Sequence, residues 1–266
     1  MAKRSNIFLG TNTKMYKTIA QTKEFLSELR TLTHDISRDE MTLFVIPSFT
    51  ALQEARKTVS GSEILLGAQN MGWEDAGPFT GEISPLMLKE LGIQIAEIGH
   101  SERRHVLGET DEMENRKVLC ALRHGLIPLI CIGETKEQKE QTISAEILRI
   151  QLKIALKGVS AENANKIWVA YEPVWAIGAS GVPADSNYVS KMHGVIRQTL
   201  TELFGTDGAH EIPILYGGSV NKQNASELIR VPDVDGLFIG RSAWNAKNFN
   251  SIIRDVLPVF RGKESN

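Results

Sequence analysis

Eight short apolar runs alternate with longer amphipathic segments along the whole chain of 266 residues. Several of the runs are nearly continuous in Ile, Val and Leu, which is typical of parallel strands buried on both faces. Eight strand–helix pairs in this length are in the proportion of a (β/α)8 barrel. We therefore predict one α/β domain, a (β/α)8 barrel over residues 1–266. The predicted strands are 7–10, 42–46, 64–68, 93–98, 127–132, 168–171, 212–216 and 236–239.

The segments between these runs carry the periodicity of helices. Residues 20–30 place Phe25, Leu26 and Leu29 on one face, and residues 112–123 do the same with Met113, Val118, Leu119 and Leu122. Further helices are predicted at 143–156, 188–204 and 252–260. A doubly wound open sheet is the alternative, but its first strand is usually followed by a Gly-rich turn. Here the first strand runs into Gly10-Thr11-Asn12-Thr13-Lys14.

Composition limits the expected partners. The formal net charge is −2, from 30 Lys and Arg against 32 Asp and Glu. With no global charge bias, neither nucleic acid nor a membrane surface is expected, and an anionic ligand must be held by local groups. Because the N-terminus lacks a signal-peptide core and no apolar run approaches about 18 residues, we expect a cytoplasmic protein. Cys120 and Cys131 are predicted to be buried thiols.

Polar side chains recur where the predicted strands end. In a barrel of this class the chemistry collects at the carboxyl ends of the strands. Together these residues supply a cation, an imidazole, a carboxylate and two anion-binding loops. They are Asn12 and Lys14 after the first strand, residues 99–104 after the fourth, Glu172 after the sixth, Tyr216 to Ser219 after the seventh, and Gly240 to Ser242 after the eighth.

Each of these residues also has a simpler interpretation. The spacing of Asn12 and Lys14 places both on one face of an extended strand end, but Lys14 is also explained as a solvated lysine. Glu172 is held extended by the following proline, and a structural ion pair would account for it too. His100 precedes a predicted helix N-terminus, which favours a neutral imidazole, although a structural role is the alternative. Arg103 and Arg104 are best explained as an ion-pair network.

Longer strings resemble one known family. Residues 98–104 (Ile-Gly-His-Ser-Glu-Arg-Arg), 170–178 (Ala-Tyr-Glu-Pro-Val-Trp-Ala-Ile-Gly) and 216–220 (Tyr-Gly-Gly-Ser-Val) are similar to triosephosphate isomerases, as are 67–70 and 77–84. The matches follow in order from Asn12 to Gly240. The chain is thus identified as a member of that family. Membership implies the TIM-barrel fold and an enzyme that isomerises a small phosphorylated sugar through an enediolate, with no metal and no organic cofactor.

The resemblance also implies a role for each matching position. Glu172 corresponds to the catalytic base, His100 to the neutral electrophile, and Lys14 to the cation that holds the substrate, with Asn12 beside it. Glu102 corresponds to a glutamate that supports these groups. The phosphate-binding backbone would be Gly178, Ser219 and Gly240. The mobile lid would span 173–184, including Pro173, Trp175 and Ala184, and Tyr216 after the seventh strand is assigned to the lid as well.

Three departures from the family lie around this site and leave the substrate open. In the segment after the first strand, Thr13 replaces a tryptophan and Tyr16 an asparagine; the lid is one residue longer and lacks a lysine; and Arg241 replaces a glycine after the eighth strand. The first expectation is the interconversion of dihydroxyacetone phosphate and glyceraldehyde 3-phosphate. The alternative is a paralogous branch acting on L-erythrulose 1-phosphate in erythritol breakdown. A non-catalytic sugar-phosphate sensor is a more remote hypothesis, because all three catalytic positions are retained.

Two further expectations concern Arg241 and assembly. Arg241 could bind phosphate, bind a hydroxyl of a fourth carbon, or point outward at the rim; we favour the rim, because a second buried cation would be costly. The segment 71–78, with Thr80 following, resembles the family's loop that inserts into a neighbouring subunit near Asn12 and Lys14. The resemblance therefore implies a homodimer.

Overall fold

The computed structural model describes residues 6–178 and 181–264 and contains a closed barrel of eight parallel strands. Neighbours in the barrel are neighbours in sequence, and the last strand pairs with the first. The predicted barrel is confirmed, although three strands, the third, fourth and seventh, begin one or two residues later than predicted. The strands are β1 (Ile7–Asn12), β2 (Met41–Ile46), β3 (Leu65–Ala68), β4 (Ile95–Ile98), β5 (Ile127–Ile132), β6 (Trp168–Tyr171), β7 (Ile214–Tyr216) and β8 (Gly236–Phe238).

Helices surround the barrel, and all five predicted segments are helical. The helix predicted over 188–204 ends beside Gly205, whose φ of 72° interrupts the longest helix of the described residues. Within the described ranges, no helix is both long and apolar enough to cross a bilayer. The helices are α1 (Ile19–Leu32), α2 (Leu52–Thr58), α3 (Pro85–Glu90), α4 (Ser101–His105), α5 (Asp111–Arg123), α6 (Lys136–Glu140), α7 (Ser144–Ala155), α8 (Ser186–Glu211), α9 (Ala225–Leu228) and α10 (Ala246–Glu264).

Two apolar cores follow from the alternation of side chains along each strand. In β1, Ile7 and Leu9 face outward and pack against the helices, whereas Phe8 faces the barrel interior with Phe44 and Trp168. Gly10 is required here, because a Cβ at this position would lie 2.1 Å from the ring of Phe44. The interior is thus filled by aromatic rings, and it forms an apolar floor below the strand ends.

The apolar face predicted for α5 is only partly right. Val118 is buried as expected, but the helix also buries Glu114 and Lys117 completely, while Met113 and Leu119 are half-buried. The buried charges are paired. Arg104 forms an ion pair with Glu114, and the Lys117 ammonium lies 2.5 Å from a carboxylate oxygen of Glu109. Pairing of this kind offsets the desolvation of a buried charge, and single-helix periodicity does not reveal it.

His193 gives the fold a specific sensitivity to acid. Its ring is fully buried in α8, and Nδ1 lies 2.9 Å from the carbonyl oxygen of Asp233. Burial lowers the pKa of His193 to about 4. An unfolded histidine has a pKa of about 6.5, so the unfolded chain binds the extra proton first as the pH falls. The stability from this residue is therefore complete above about pH 6.5 and is lost toward pH 4.

Protonation of His193 in the unfolded chain should lower the free energy of unfolding by about 2 kcal/mol as the pH falls from 7.5 to 5. Urea unfolding of the wild type and of His193→Gln, which keeps a donor for the Asp233 carbonyl, measures this difference. The variant should lose less stability over that interval than the wild type. His34→Gln, at an exposed position, is the control and should keep the wild-type dependence. Identical pH profiles for the wild type and His193→Gln would refute the assignment.

Candidate active site

The inward-facing positions of the strands continue into one cavity at their carboxyl ends. Asn12 has the same orientation as Phe8 and Gly10, and Glu172 the same as Trp168 and Ala170. The cavity contains every residue that the sequence predicts for base, electrophile, cation and phosphate binding. These lining residues are Asn12, Lys14, His100, Glu102, Glu172, Gly178, Ser219, Gly240 and Arg241.

Glu172 is held between two glycines. A Cβ at position 133 would lie 2.0 Å from its carbonyl oxygen, and one at position 217 would lie 2.7 Å from its Cγ. Its backbone N–H donates to Ile132 across the ladder at 2.8 Å. Only 5% of the side chain is exposed, and Oε2 has no hydrogen-bond partner among the described residues. A desolvated carboxylate oxygen without a partner is suited to accept a proton from a bound molecule.

His100 presents one particular ring nitrogen to the cavity. The backbone N–H of Glu102 donates to its Nδ1 at 3.2 Å, and only an unprotonated nitrogen can accept that bond. The imidazole proton then resides on Nε2, which lies 3.7 Å from Oε2 of Glu172. This geometry favours a neutral imidazole that donates from Nε2. Arg104 holds the preceding turn by donating to the Gly99 carbonyl at 2.8 Å.

Lys14 does not continue the strand as the spacing predicts. Strand β1 ends at Asn12, and Lys14 has a φ of 51°, in the left-handed region that few non-glycine residues occupy. Its backbone N–H donates to Oδ1 of Asn12 at 2.6 Å, and Nε2 of Gln69 donates to its carbonyl at 2.8 Å. Lys14 and Asn12 therefore meet in the cavity through a tight turn. Gln69, for which the sequence analysis proposes no role, stabilises that turn.

The Lys14 ammonium is surrounded by carboxylates. It donates to Oε1 of Glu102 at 2.6 Å. Burial opposes its charge, but the bond to Glu102 and the charges of Glu172 and Glu97 outweigh burial and raise the pKa of Lys14. Lys14 is therefore a cation at neutral pH. Half of the Glu102 side chain is exposed, so an anion can replace this carboxylate without opening the core.

Glu97 is a functional candidate that the sequence analysis misses. It faces the barrel interior from β4, is fully buried, and accepts a bond of 2.7 Å from Nδ2 of Asn12. Complete burial raises the pKa of Glu97 to about 7, against the opposing effect of nearby His100. A glutamate inside the run Ile-Ala-Glu-Ile was the available signal, because a buried charge is costly unless it has a use or a partner.

A set of free backbone N–H groups lies on the other side of the cavity. Within the described residues, the amides of Gly178, Ser219 and Gly240 donate to no other protein group. Gly217, by contrast, donates to the Tyr171 carbonyl at 2.8 Å and is not available. Amides without an acceptor that line one cavity suit a phosphate group. We call Gly178, Ser219 and Gly240 the amide cradle. Arg241, at the rim, donates from Nη2 to the Gly178 carbonyl at 2.9 Å.

The predicted lid is tied to the barrel at its start. Pro173 opens a short turn, Val174–Ala176, and Nε1 of Trp175 donates to Glu134 at 2.8 Å. The Lys139 ammonium lies over the Trp175 ring, 3.3 Å from its centre. The predicted end, Ala184, is half-buried, and Tyr216 is fully buried. Residues 179 and 180 of the predicted lid lie outside the described residues.

The remaining predictions concern the arginines and the cysteines. Arg103 pairs with Glu109 at 2.7 Å, and Arg104 pairs with Asp111 and Glu114, so the predicted ion-pair network is confirmed. Both cysteines are buried free thiols, as predicted. Cys120, Asp75 and His124 have donor atoms within 4.8 Å of one another. The Arg123 guanidinium, 3.2 Å from Asp75 and 3.3 Å from the Cys120 sulfur, already places a cation among them.

Comparison with known proteins adds to this geometry. A family model described as triosephosphate isomerase matches residues 7–256. The chain is 47% identical over 252 residues to the L-erythrulose-1-phosphate isomerase of Rhizobium etli, covering 94% of this chain and 92% of that protein. It is 46% identical over 250 residues to the protein of the same name from Brucella abortus, covering 94% and 96%. The crystal structure of triosephosphate isomerase from Bartonella henselae superposes with a TM-score of 0.82 at 40% identity, covering 94% and 98%.

Proposed function

The chain belongs to the triosephosphate isomerase family, and from that premise we propose that it interconverts L-erythrulose 1-phosphate and D-erythrulose 4-phosphate. The observation that carries the chemistry is the pairing of Glu172 and His100 at one end of a cavity whose other side is the amide cradle. The choice of sugar is supported by the names of the relatives in Rhizobium etli and Brucella abortus. This choice differs from the first expectation of the sequence analysis, which was the triose phosphate with the tetrulose phosphate as the alternative.

The two candidate substrates differ by one group. L-Erythrulose 1-phosphate is dihydroxyacetone phosphate with a hydroxymethyl group on the carbon that loses its proton. The phosphate, the carbonyl and the acidic carbon keep their relative positions in both molecules. One arrangement of base, proton donor and phosphate site therefore serves both reactions. Selectivity depends on the space beyond the reacting carbon, on the side away from the amide cradle.

The proposed reaction moves the carbonyl from C2 to C3. Glu172 removes the C3 proton, and the electron pair of that bond forms the double bond of a 2,3-enediolate. Nε2–H of His100 donates to the developing oxyanion, and the Lys14 cation stabilises its charge. Glu172 then returns the proton to C2, while the proton of the C3 hydroxyl passes by way of Nε2 of His100 to the oxygen on C2, so that O3 becomes the carbonyl and O2 a hydroxyl. The product, numbered from its other end, is D-erythrulose 4-phosphate, and no atom is gained or lost.

Triose phosphate isomerisation is the second candidate. It is favoured by the likeness to the triosephosphate isomerase of Bartonella henselae. The site is compatible with it too, because the Asn12, Lys14, His100 and Glu172 that line the cavity would serve either reaction.

The identity of the product tests the proposal. Purified protein is incubated with L-erythrulose 1-phosphate, and the mixture is followed by phosphorus and carbon NMR. We expect the signals of D-erythrulose 4-phosphate to rise to an equilibrium mixture. The same protein with Glu172→Gln is the negative control. Absence of turnover with this substrate and with both triose phosphates would support the non-catalytic sensor instead.

We also propose that the protein is a homodimer. Large apolar side chains are exposed on the loops after β1, β3 and β4, and Met15 is 94% exposed. Val106 and Leu107 are similarly exposed after α4, and an apolar cavity lined by Trp73 and Phe79 opens in the loop after β3. Large exposed apolar side chains that cover one another in an assembly usually mark an interface. The loops after β1 and β4 line the cavity, and the resemblance to the family implies that a partner's Thr80 lies near Lys14.

Met15→Arg is expected to shift the protein from dimer to monomer, because an arginine there would be buried in the interface without a partner. Sedimentation velocity at assay concentration measures the change, and the activity of the monomer should fall. Ile150→Arg, half-exposed on α7, is the matched control and should remain dimeric. A fully active wild-type species of 29.4 kDa at the same concentration would contradict the proposed assembly.

A further inference from the structure

Arg241 lies in the loop that follows β8 and connects this loop to the lid. It is the first residue of a short turn, Arg241–Ala243, at the rim of the cavity. Its Nη2 donates to the Gly178 carbonyl at 2.9 Å, although the two residues are 63 positions apart in sequence. Gly178 also belongs to the amide cradle. The guanidinium is therefore held beside the free N–H groups and does not extend away from them.

No described residue neutralises the charge of Arg241. Among the described residues, no carboxylate lies within ion-pair distance of its guanidinium. A carbonyl oxygen occupies one of five N–H donors and supplies no negative charge. The side chain is exposed, so the cost expected for a second buried cation does not apply. An unpaired guanidinium beside an amide cradle is suited to bind a dianion through two parallel bonds.

We propose that Arg241 binds the phosphate group of the substrate as a second cation, with the Gly178 carbonyl holding its guanidinium in place. The inference rests on the proposed function only in taking a sugar phosphate as the ligand. The amide cradle supplies neutral donors, Lys14 supplies a cation from the β1 side, and Arg241 supplies one from the β8 side. Part of the affinity for substrate then comes from this residue.

The proposal places the hydroxyl on the fourth carbon away from Arg241. In L-erythrulose 1-phosphate that hydroxyl and the phosphate lie at opposite ends of the chain. With the phosphate on the amide cradle and the reacting carbon at Glu172 and His100, the fourth carbon points away from Gly178. Arg241 is therefore a determinant of phosphate binding, and its loss should weaken binding of tetrulose and triose phosphates equally.

Titration of inorganic phosphate into the apoprotein tests the proposal without any turnover. Calorimetry of Arg241→Gln should give a dissociation constant at least about tenfold weaker than that of the wild type, since a charge-assisted pair is lost. Arg241→Lys should fall between the two, because an ammonium keeps the charge but not the paired donors. Arg230→Gln, an exposed arginine that does not line the cavity, is the control and should bind as the wild type does.

Steady-state kinetics separates phosphate binding from an effect on the lid. We expect KM of Arg241→Gln to rise about tenfold for each phosphorylated substrate that the enzyme turns over, with kcat within about threefold of wild type. Unchanged phosphate affinity and unchanged KM would overturn the proposal. A fall in kcat with unchanged phosphate affinity would overturn it too, and would assign Arg241 to holding the Gly178 peptide. If the wild type does not turn over L-erythrulose 1-phosphate, the proposed function fails, and the phosphate titration still tests the role of Arg241.

Discussion

Glu172→Gln is expected to lower kcat by roughly a thousandfold or more and to leave KM within about threefold of wild type. The amide keeps the shape of the side chain between Gly133 and Gly217 but cannot accept the substrate proton. Glu172→Asp keeps the carboxylate but retracts it by one methylene, about 1 Å, which should cost roughly a hundredfold in kcat. Stopped assays on purified variants, with substrate concentration varied, give both constants.

The relative loss of kcat in the two variants distinguishes a catalytic base from a structural glutamate. If Glu172 is the base, removing it in Glu172→Gln should lower kcat more than displacing it in Glu172→Asp. If Glu172 were purely structural, both variants would instead have a lower unfolding temperature. Thermal unfolding of each variant separates these cases. Glu162→Gln, at an exposed position, is the matched control and should retain wild-type kcat. Near-normal turnover in both Glu172 variants would remove this residue from the mechanism.

His100→Gln is expected to lower kcat by roughly a hundredfold to a thousandfold, the usual cost of losing one donor to a developing oxyanion. Nε2 is the ring nitrogen facing the cavity, since Nδ1 accepts the Glu102 backbone N–H. KM should change little, because the donor acts mainly when charge develops on the substrate oxygen. The substituted amide retains a donor, but from a different position.

A pH profile distinguishes a neutral donor from a charged one. If the neutral imidazole acts, kcat should not rise as the pH falls through the range where histidines gain a proton. His105→Gln, the same substitution five residues on at an exposed position, is the control and should keep wild-type turnover. A His100→Gln variant with wild-type kcat would contradict the assignment, as would activity that increases with protonation of His100.

The barrel could be predicted because its signal is repeated. Each strand is a short apolar run buried on both faces. The bounds of β5 (Ile127–Ile132) and β6 (Trp168–Tyr171) are the bounds of their apolar runs. Errors are confined to boundaries. β7 starts at Ile214 and not at Ile212, next to Pro213, which has no N–H to donate to a ladder. The local apolar pattern determines these strands, and tertiary contacts shift their ends by only a few residues.

Other features of the site depend on contacts between distant residues, and the sequence alone could not predict them. The left-handed Lys14 is stabilised by Gln69, 55 residues further along. The bond from Arg241 to Gly178 spans 63 residues, and the expectation of a rim position contains no hint of its partner. The charges buried in α5 are paired with groups outside that helix, such as Arg104 for Glu114. Periodicity within one element does not contain such information.

The ratio of kcat/KM for L-erythrulose 1-phosphate to kcat/KM for dihydroxyacetone phosphate, measured on one preparation, tests the central claim most directly. The proposed function predicts that the tetrulose phosphate is preferred by at least about a hundredfold, equivalent to roughly 2.7 kcal/mol of transition-state stabilisation. Glu172→Gln should abolish both activities together, because one base serves both. A preference of similar size for the triose phosphate would contradict the proposed function and would make the chain a triosephosphate isomerase.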